Sequence, residues 1–252
     1  MKSNLYPRLA FCLASTSTTE EHYQNLKKEG IETVSLCLHT SGFEYHNSAN
    51  VHAYFARQAG MKVHAYMVTD LHDIKDDVIK FTENLVDLGF DSRTKITIVL
   101  NGDQYAEKRE EKIIKLIDMI SKYHDRSNID LAFFKKTIDM GLYDLSKLPQ
   151  KINLTIIYTD AVSPGIPEAG TWVYKLDDNP IDTIQFLAYD YRGFYTGDGY
   201  QLSLIDTEYV VQPGDSWYSI AQRHAIPLID LLALNGADAE EAVYAGQVIK
   251  IA

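Results

Sequence analysis

From residue 9 to about residue 205, short apolar runs alternate with stretches whose apolar residues recur every three or four positions. The runs Leu9–Ala14, Val34–Leu38, Lys62–Val68, Ile96–Leu100, Ile129–Phe134, Leu154–Tyr158, Thr171–Leu176 and Ile184–Ala188 predict strands. Helical spacing falls between the earlier ones. Thr19–Glu29 places Tyr23 and Leu26 on one face, and Val51, Tyr54 and Phe55 mark a second helix. Asp76–Leu88 aligns Val78, Phe81, Leu85 and Leu88, and a fourth helix carries Ile113, Leu116, Ile117 and Ile120. Ile96–Leu100 is apolar almost throughout, as expected of a strand covered on both faces. Alternation of this kind predicts an α/β fold with a parallel sheet, open or closed into a barrel. No Gly-rich phosphate loop follows the first strand, which argues against a nucleotide-binding fold.

The pattern changes near residue 208. Tyr209-Val210-Val211 predicts a strand, Pro213-Gly214-Asp215 a turn, and Ser216 the cap of a helix. A second helix begins at Pro227 and stops at Asn235-Gly236, and a last strand runs through Gln247–Ile251. Two domains are therefore expected, residues 1–206 and a small βααβ unit at 207–252. Ile220, Ala221, Leu231, Leu234 and Ile249 are the expected core of the second.

Composition narrows the partners. The net charge of −11 excludes nucleic acid, because nothing would neutralise a run of phosphates. It also removes attraction to an anionic cell wall, so sugar recognition would rest on hydrogen bonds and aromatic contact, which the 17 Tyr suit. No apolar run approaches the roughly 20 residues that span a bilayer. Lys2 and Arg8 precede Leu9–Ala14, but that run is shorter than a secretion signal's usual core of about 7–15 residues. A buried first strand is the expectation there, with synthesis in the cytoplasm. Cys12 and Cys37 sit inside apolar runs and are expected as buried thiols. His39, His46, His52, His64 and His72 make no ligand pair, so neither a metal nor a cofactor is expected, and His64 is expected as a hydrogen-bonded barrel histidine.

The C-terminal unit resembles a LysM repeat from end to end. The resemblance is carried by Tyr209 to Ser216, by Ser219-Ile220-Ala221, by Leu231 with Leu234-Asn235, and by Ala245-Gly246-Gln247-Val248-Ile249-Lys250-Ile251. It implies binding of peptidoglycan or another N-acetylglucosamine-containing polymer in a shallow groove. Gly214, Asp215, Ser216 and Trp217 would form one side of that groove, and Asn235 and Gly236 the other. Turn and cap chemistry alone explains the same Gly, Ser and Asn choices.

Residues 8–206 resemble, in patches, the family-25 glycoside hydrolases, lysozyme-like muramidases with an incomplete β/α barrel. Val34–Gly42 is similar to the family's second strand and loop, and Asn50–Tyr66 to its next helix and third strand. Ile98-Val99-Leu100 is placed like the strand delivering the catalytic Asp-x-Glu, and Asp130–Phe134 with Asp144–Pro149 looks like a later strand and its continuation. At the Asp-x-Glu position this chain reads Asn101-Gly102-Asp103. Residues two apart on a strand share a face, so Asp103 would be the acid and Asn101 would orient a substrate acetamido group. The first-strand acid has no counterpart in Phe11–Ser15, Ser41 stands for the acid of the second loop, and Asp206 is a loose match for a final one.

Three functions follow from these resemblances. One is a cell-wall binding protein whose barrel has lost its carboxylates. Another is a working N-acetylmuramidase using Asp103. The third is a non-enzymatic phage or envelope component anchored by LysM, acting at the wall or within a phage particle. The segment Tyr189–Tyr200, with aromatics interleaved with Asp and Gly, suits sugar stacking or packing of the second domain on the barrel. Packing is the expected role, since no flexible linker separates the domains.

Overall fold

Strands and helices occupy the predicted stretches in a computed structural model. It describes residues 6–43, 48–101, 106–149, 151–159, 164–177, 183–197, 208–223, 228–238 and 241–251. The chain divides into two units, residues 1–202 and 203–252.

In the first unit eight strands close into a barrel in sequence order. They are β1 (Arg8–Cys12), β2 (Thr33–Thr40), β3 (Lys62–Thr69), β4 (Ile96–Leu100), β5 (Ile129–Phe134), β6 (Asn153–Ile157), β7 (Thr171–Asp177) and β8 (Gln185–Asp190). Helices α1 (Glu20–Lys28), α2 (Ala49–Gln58), α3 (Ile74–Asp87) and α4 (Arg109–Ile120) follow the first four strands, and α5 (Lys135–Asp139) is one short turn after β5. Among the described residues no helix lies between β6 and β8, so the barrel is complete in strands and incomplete in helices.

The expectation of a wholly parallel sheet fails at one strand. β1 to β7 pair in parallel, but β8 runs antiparallel to both β7 and β1. The physical reason is chain length. Seven residues, 178–184, separate Asp177 from Gln185, and a parallel crossover needs about a dozen or more.

Local chemistry sets the helices. Thr19 caps α1 by accepting from the His22 amide at 3.2 Å. Glu20 and Glu21 in its first turn and Lys27 and Lys28 in its last suit the helix dipole. Asp73 caps α3 in the same way, and Ile74, Val78, Phe81 and Leu85 form its buried stripe. Along β3, Tyr66 and Val68 line the barrel interior, and by alternation Val63, Ala65 and Met67 face the helices. Both sets are buried apart from the half-exposed Val68. Each fully buried aliphatic side chain contributes about 1.5–3 kcal/mol.

The floor of the barrel, at the amino ends of β1–β7, is polar. After β8 the chain turns back beneath the strands and inserts Tyr195, which is fully buried. Asp190 holds this turn by accepting from the amides of Phe194, Tyr195 and Thr196 at 2.9–3.0 Å and from the Thr196 hydroxyl. The Tyr195 hydroxyl donates to Asp130, so the 2.7 Å contact with Thr97 must have Thr97 as its donor. Thr155 and Asn153 also donate to Asp130, at 2.7 and 2.8 Å. A side chain at position 170 would place its Cβ 1.9 Å from the Asn153 carboxamide oxygen, so Gly170 leaves Asn153 the room to reach Asp130. His64 is buried here as expected, with Nε2 3.2 Å from the Tyr195 carbonyl and Nδ1 accepting from the Lys95 amide. The described part of Tyr189–Tyr200 is thus committed to closing the barrel, a role its composition did not suggest.

The second unit has β9 (Glu208–Val210) and β10 (Val248–Lys250) as an antiparallel ribbon, with α6 (Trp217–Arg223) and α7 (Leu228–Asn235) between them. Its core is Val211, Trp217, Ile220, Ala221, Leu231, Leu232, Ile249 and Ile251. Leu232 takes the place expected for Leu234, which is half-buried.

Candidate functional site

In β/α barrels chemistry gathers at the carboxyl ends of the strands. At that end lies a cavity of about 250 Å³. Nine of its described lining residues are apolar, Phe11, Val68, Val99, Phe134, Ile157 and Phe186 among them. Thr40, Tyr66, Thr155 and Asn101 are the polar members, and no described lining residue is charged. Asn101 sits at the rim, exposed, its backbone amide bonded to the Thr69 carbonyl at 3.0 Å. Asp103 and Asp206, the remaining sequence candidates for an acid, lie outside the described residues.

The other family positions are accounted for. Leu13 follows β1 and lines the cavity where an acid was expected to be missing. On β8 the residue that lines the cavity is Phe186, while its neighbour Gln185 is buried with its carboxamide oxygen 4.0 Å from the Cys12 sulfur. Ser41 is tied down, donating to both oxygens of Asp77 at 2.8 Å. Asp77 also accepts from Thr69 at 2.6 Å and lies 2.7 Å from His39 Nε2. Burial pushes its carboxyl up, but hydrogen bonds from His39, Thr69 and Ser41 outweigh burial and hold it below the usual value. Sequence reading missed this cluster, because no short motif links residues 39, 41, 69 and 77. With three partner side chains, Asp77 is part of a locked strut between β2, β3 and α3 rather than an available acid.

A pyranose in such a mouth would lose water from several hydroxyls and regain few partners. Each buried hydroxyl left unpaired costs about 1–3 kcal/mol. Glycosidic cleavage further needs two carboxylates, or one carboxylate with the substrate's acetamido group. Among the described residues no group of three His, Cys, Asp or Glu side chains could hold a metal ion. Cys12 and Cys37 are buried free thiols, and burial pushes the Cys37 thiol up to about 11.

In the second unit every nominated residue has a definite place. Gly214 turns at φ +92°, with open space where a side chain would stand. Asp215 accepts from the Tyr209 hydroxyl at 2.6 Å and the Gln212 amide at 2.8 Å. Ser216 and Ser219 cap one another, each hydroxyl accepting the other's amide proton at 3.1 and 2.9 Å. Trp217 belongs to the core, its indole N–H donating to the Glu241 carbonyl at 3.0 Å. The Asn235 carboxamide clamps α7 to β10, exchanging two 2.8 Å bonds with the Lys250 backbone and donating to the Leu231 carbonyl. Gly236 follows at φ +60°. Asp215 and Asn235 thus engage neighbouring rungs of one ribbon, at Tyr209 and at Lys250 opposite Glu208. Tyr218 and Tyr244 are the module's exposed aromatics.

These features define a two-part architecture, a closed β/α barrel followed by a small βααβ module. The sequence profile of the LysM domain matches residues 209–252, so the C-terminal unit is a LysM domain. The barrel shares its fold with solved family 25 lysozymes. A family 25 glycosyl hydrolase from Bacillus anthracis is 12% identical with a TM-score of 0.57, covering 76% of this chain and 92% of that one. The catalytic domain of endolysin ply40 from bacteriophage P40 of Listeria monocytogenes is 12% identical with a TM-score of 0.59, covering 74% and 94%. The bacterial lysozyme from Streptomyces coelicolor is 11% identical with a TM-score of 0.59, covering 75% and 93%. No curated protein matches the chain by sequence. No helix among the described residues is long and apolar enough to cross a membrane.

Proposed function

We propose that the chain is a bacterial cell-wall binding protein: its LysM domain holds peptidoglycan, and its lysozyme-shaped barrel does not cleave it. The observation that carries this reading is the mouth of the barrel, where no carboxylate is found among the described lining residues. Loss of one preorganised charged group removes about 3 kcal/mol of transition-state stabilisation. Here the β4 position holds Asn101, the second-loop position holds Ser41 bound to Asp77, and β8 presents Phe186 to the cavity. On the LysM side, glycan contact falls to the turns at Gly214–Trp217 and Asn235–Gly236. The carboxylate of Asp215 and the carboxamide of Asn235 already have partners inside the module. Backbone groups of the two turns and the exposed ring of Tyr218 are therefore the surface offered to sugar.

The test is a pair of assays on purified peptidoglycan. Full-length protein sediments with the insoluble glycan and releases no soluble muropeptides, and deletion of residues 208–252 abolishes sedimentation. Muropeptide release that disappears in Asp103→Asn would replace this reading with the muramidase one, Asp103 acting as acid and Asn101 holding the acetamido group. Sedimentation unchanged by the deletion would remove the wall-binding role from the LysM domain.

A further inference from the structure

Outside the barrel, against β5 and β6, lies a second cavity, of about 550 Å³. It exists because α5 is a single short turn, which leaves the outward faces of β5 and β6 without a full helix over them. Leu131 and Leu154, register partners on those strands, join Leu148 in an apolar floor that is buried or half-buried. Its rim is exposed and carries charge, with Lys151, Glu168 and Arg192 among the described lining. Among the described residues the Arg192 guanidinium has one weak bond, 3.4 Å to the Pro167 carbonyl. The side chains of Lys151 and Glu168 have no hydrogen bond or ion pair there. Lys151 also stands at φ +71°, in the left-handed region that a lysine seldom adopts. Such strain costs about 1–3 kcal/mol and gathers at ligand clamps and other functional sites.

We propose that this outer pocket binds a short peptide with free ends and apolar side chains. The peptide carboxylate pairs with Arg192 and Lys151, its ammonium with Glu168, and its hydrocarbon with the three leucines of the floor. Size permits this, since small-molecule sites run to roughly 300–1,000 Å³. Charge favours it. A guanidinium with uncommitted donors takes a carboxylate in two parallel bonds. A hydrocarbon alone would gain nothing from the three rim charges, and a simple anion would leave Glu168 without a partner. A chain with no affinity for glycan would keep this pocket, so its fate is separate from that of the wall-binding reading.

The test is calorimetric titration of the full-length chain with leucyl-leucine, its C-terminal amide, its N-acetyl form and glycylglycine. Saturable binding of leucyl-leucine is expected. The amide and the acetyl form each bind more weakly by about fivefold, and glycylglycine by about tenfold or more. Arg192→Gln combined with Lys151→Gln removes the preference over the amide. Glu168→Gln removes the preference over the acetyl form. All three side chains are exposed, so these changes leave the fold intact. The proposal is overturned if leucyl-leucine shows no saturation up to its solubility limit, or if glycylglycine binds as tightly. It is equally overturned if either variant keeps the preference of the parent chain, because the rim charges would then not be reading the peptide's ends.

Discussion

At the floor of the barrel Asp130 receives three hydrogen bonds and Asp190 four, whereas the described lining of the mouth sets four uncharged polar side chains among nine apolar ones. In barrel enzymes the carboxyl ends of the strands serve chemistry and the amino ends serve stability. Here the buried acids described in the barrel interior, Asp130 and Asp190, lie at the end that serves stability. Barrel closure needs only inward-facing side chains that fill space and satisfy one another. It is indifferent to which end holds the charge, so a lysozyme shape is compatible with a mouth that does no hydrolysis. The two ends therefore make opposite predictions for substitution.

The floor is where substitution hurts most. Asp190→Ala leaves three backbone amides and the Thr196 hydroxyl without their acceptor beneath the barrel. An expected loss of about 3–5 kcal/mol follows, read as a lower urea midpoint. A loss below about 1 kcal/mol, the scale of an ordinary surface change, would mean that the loop after β8 does not secure the floor. Tyr195→Phe is the milder version. The ring keeps its edge-on contacts with Phe11 and Phe194, while Asp130 loses a donor and Thr97 an acceptor. The expected cost is about 1–3 kcal/mol, measured in the same denaturation series.

The floor also gives stability a pH dependence. Burial pushes Asp130 up to about 7, hydrogen bonds from Tyr195, Thr155 and Asn153 offsetting only part of that, and nearby Asp190 pushes the same way. An acid whose folded value is raised stabilises fully below its unfolded value and loses that contribution as pH climbs through the folded one. Burial lowers His52 and His64 to about 4, and lowers His124 as well. Their contribution is present above the unfolded value and lost as pH falls. Between about pH 4.5 and 6.5 the two effects oppose, and Asp130 flattens the curve. Asp130→Asn therefore makes stability rise more steeply with pH, by about 1.4 kcal/mol per unit in that window. Urea melts of both proteins across the range check it, and parallel curves would mean that Asp130 titrates alike in the folded and unfolded chain.

Much of this architecture was legible in the sequence. Ile96–Leu100 and Ile129–Phe134 are strands to the residue because both of their faces are buried, so apolar residues fill each run except at the floor positions Thr97 and Asp130. The LysM turn and caps were equally readable, since Gly214, Ser216 and Asn235 each answer a local backbone need. The direction of β8 was also encoded, in a link too short for a crossover. Tyr195 was not. Its neighbours, Asp190 to Gly197, have the composition of a surface loop, and only closure of the barrel brings Asp130, sixty-five positions earlier, to its hydroxyl. Trp217 shows the same limit in the small unit. Beside a turn it suits a sugar or a core equally, and the Glu241 carbonyl that receives its indole proton is twenty-four residues away.

The smallest expected effect lies at the mouth, and it separates the two ends most cleanly. Asn101 occupies the strand end where lysozyme-like relatives are expected to carry an acid, yet it is exposed at the rim and its backbone bond to Thr69 does not need the side chain. Asn101→Ala should change stability by no more than about 0.5 kcal/mol, the range of surface substitutions, and should leave sedimentation with peptidoglycan unaltered. Asn101→Asp restores half of the Asp-x-Glu pattern with Asp103 two residues on, and it still faces an apolar wall without a second described carboxylate. No muropeptide release is expected from it. If that single change produced turnover, the apolar mouth would be one residue from catalysis, and the inversion between floor and mouth would be a matter of charge at one position rather than of the whole lining.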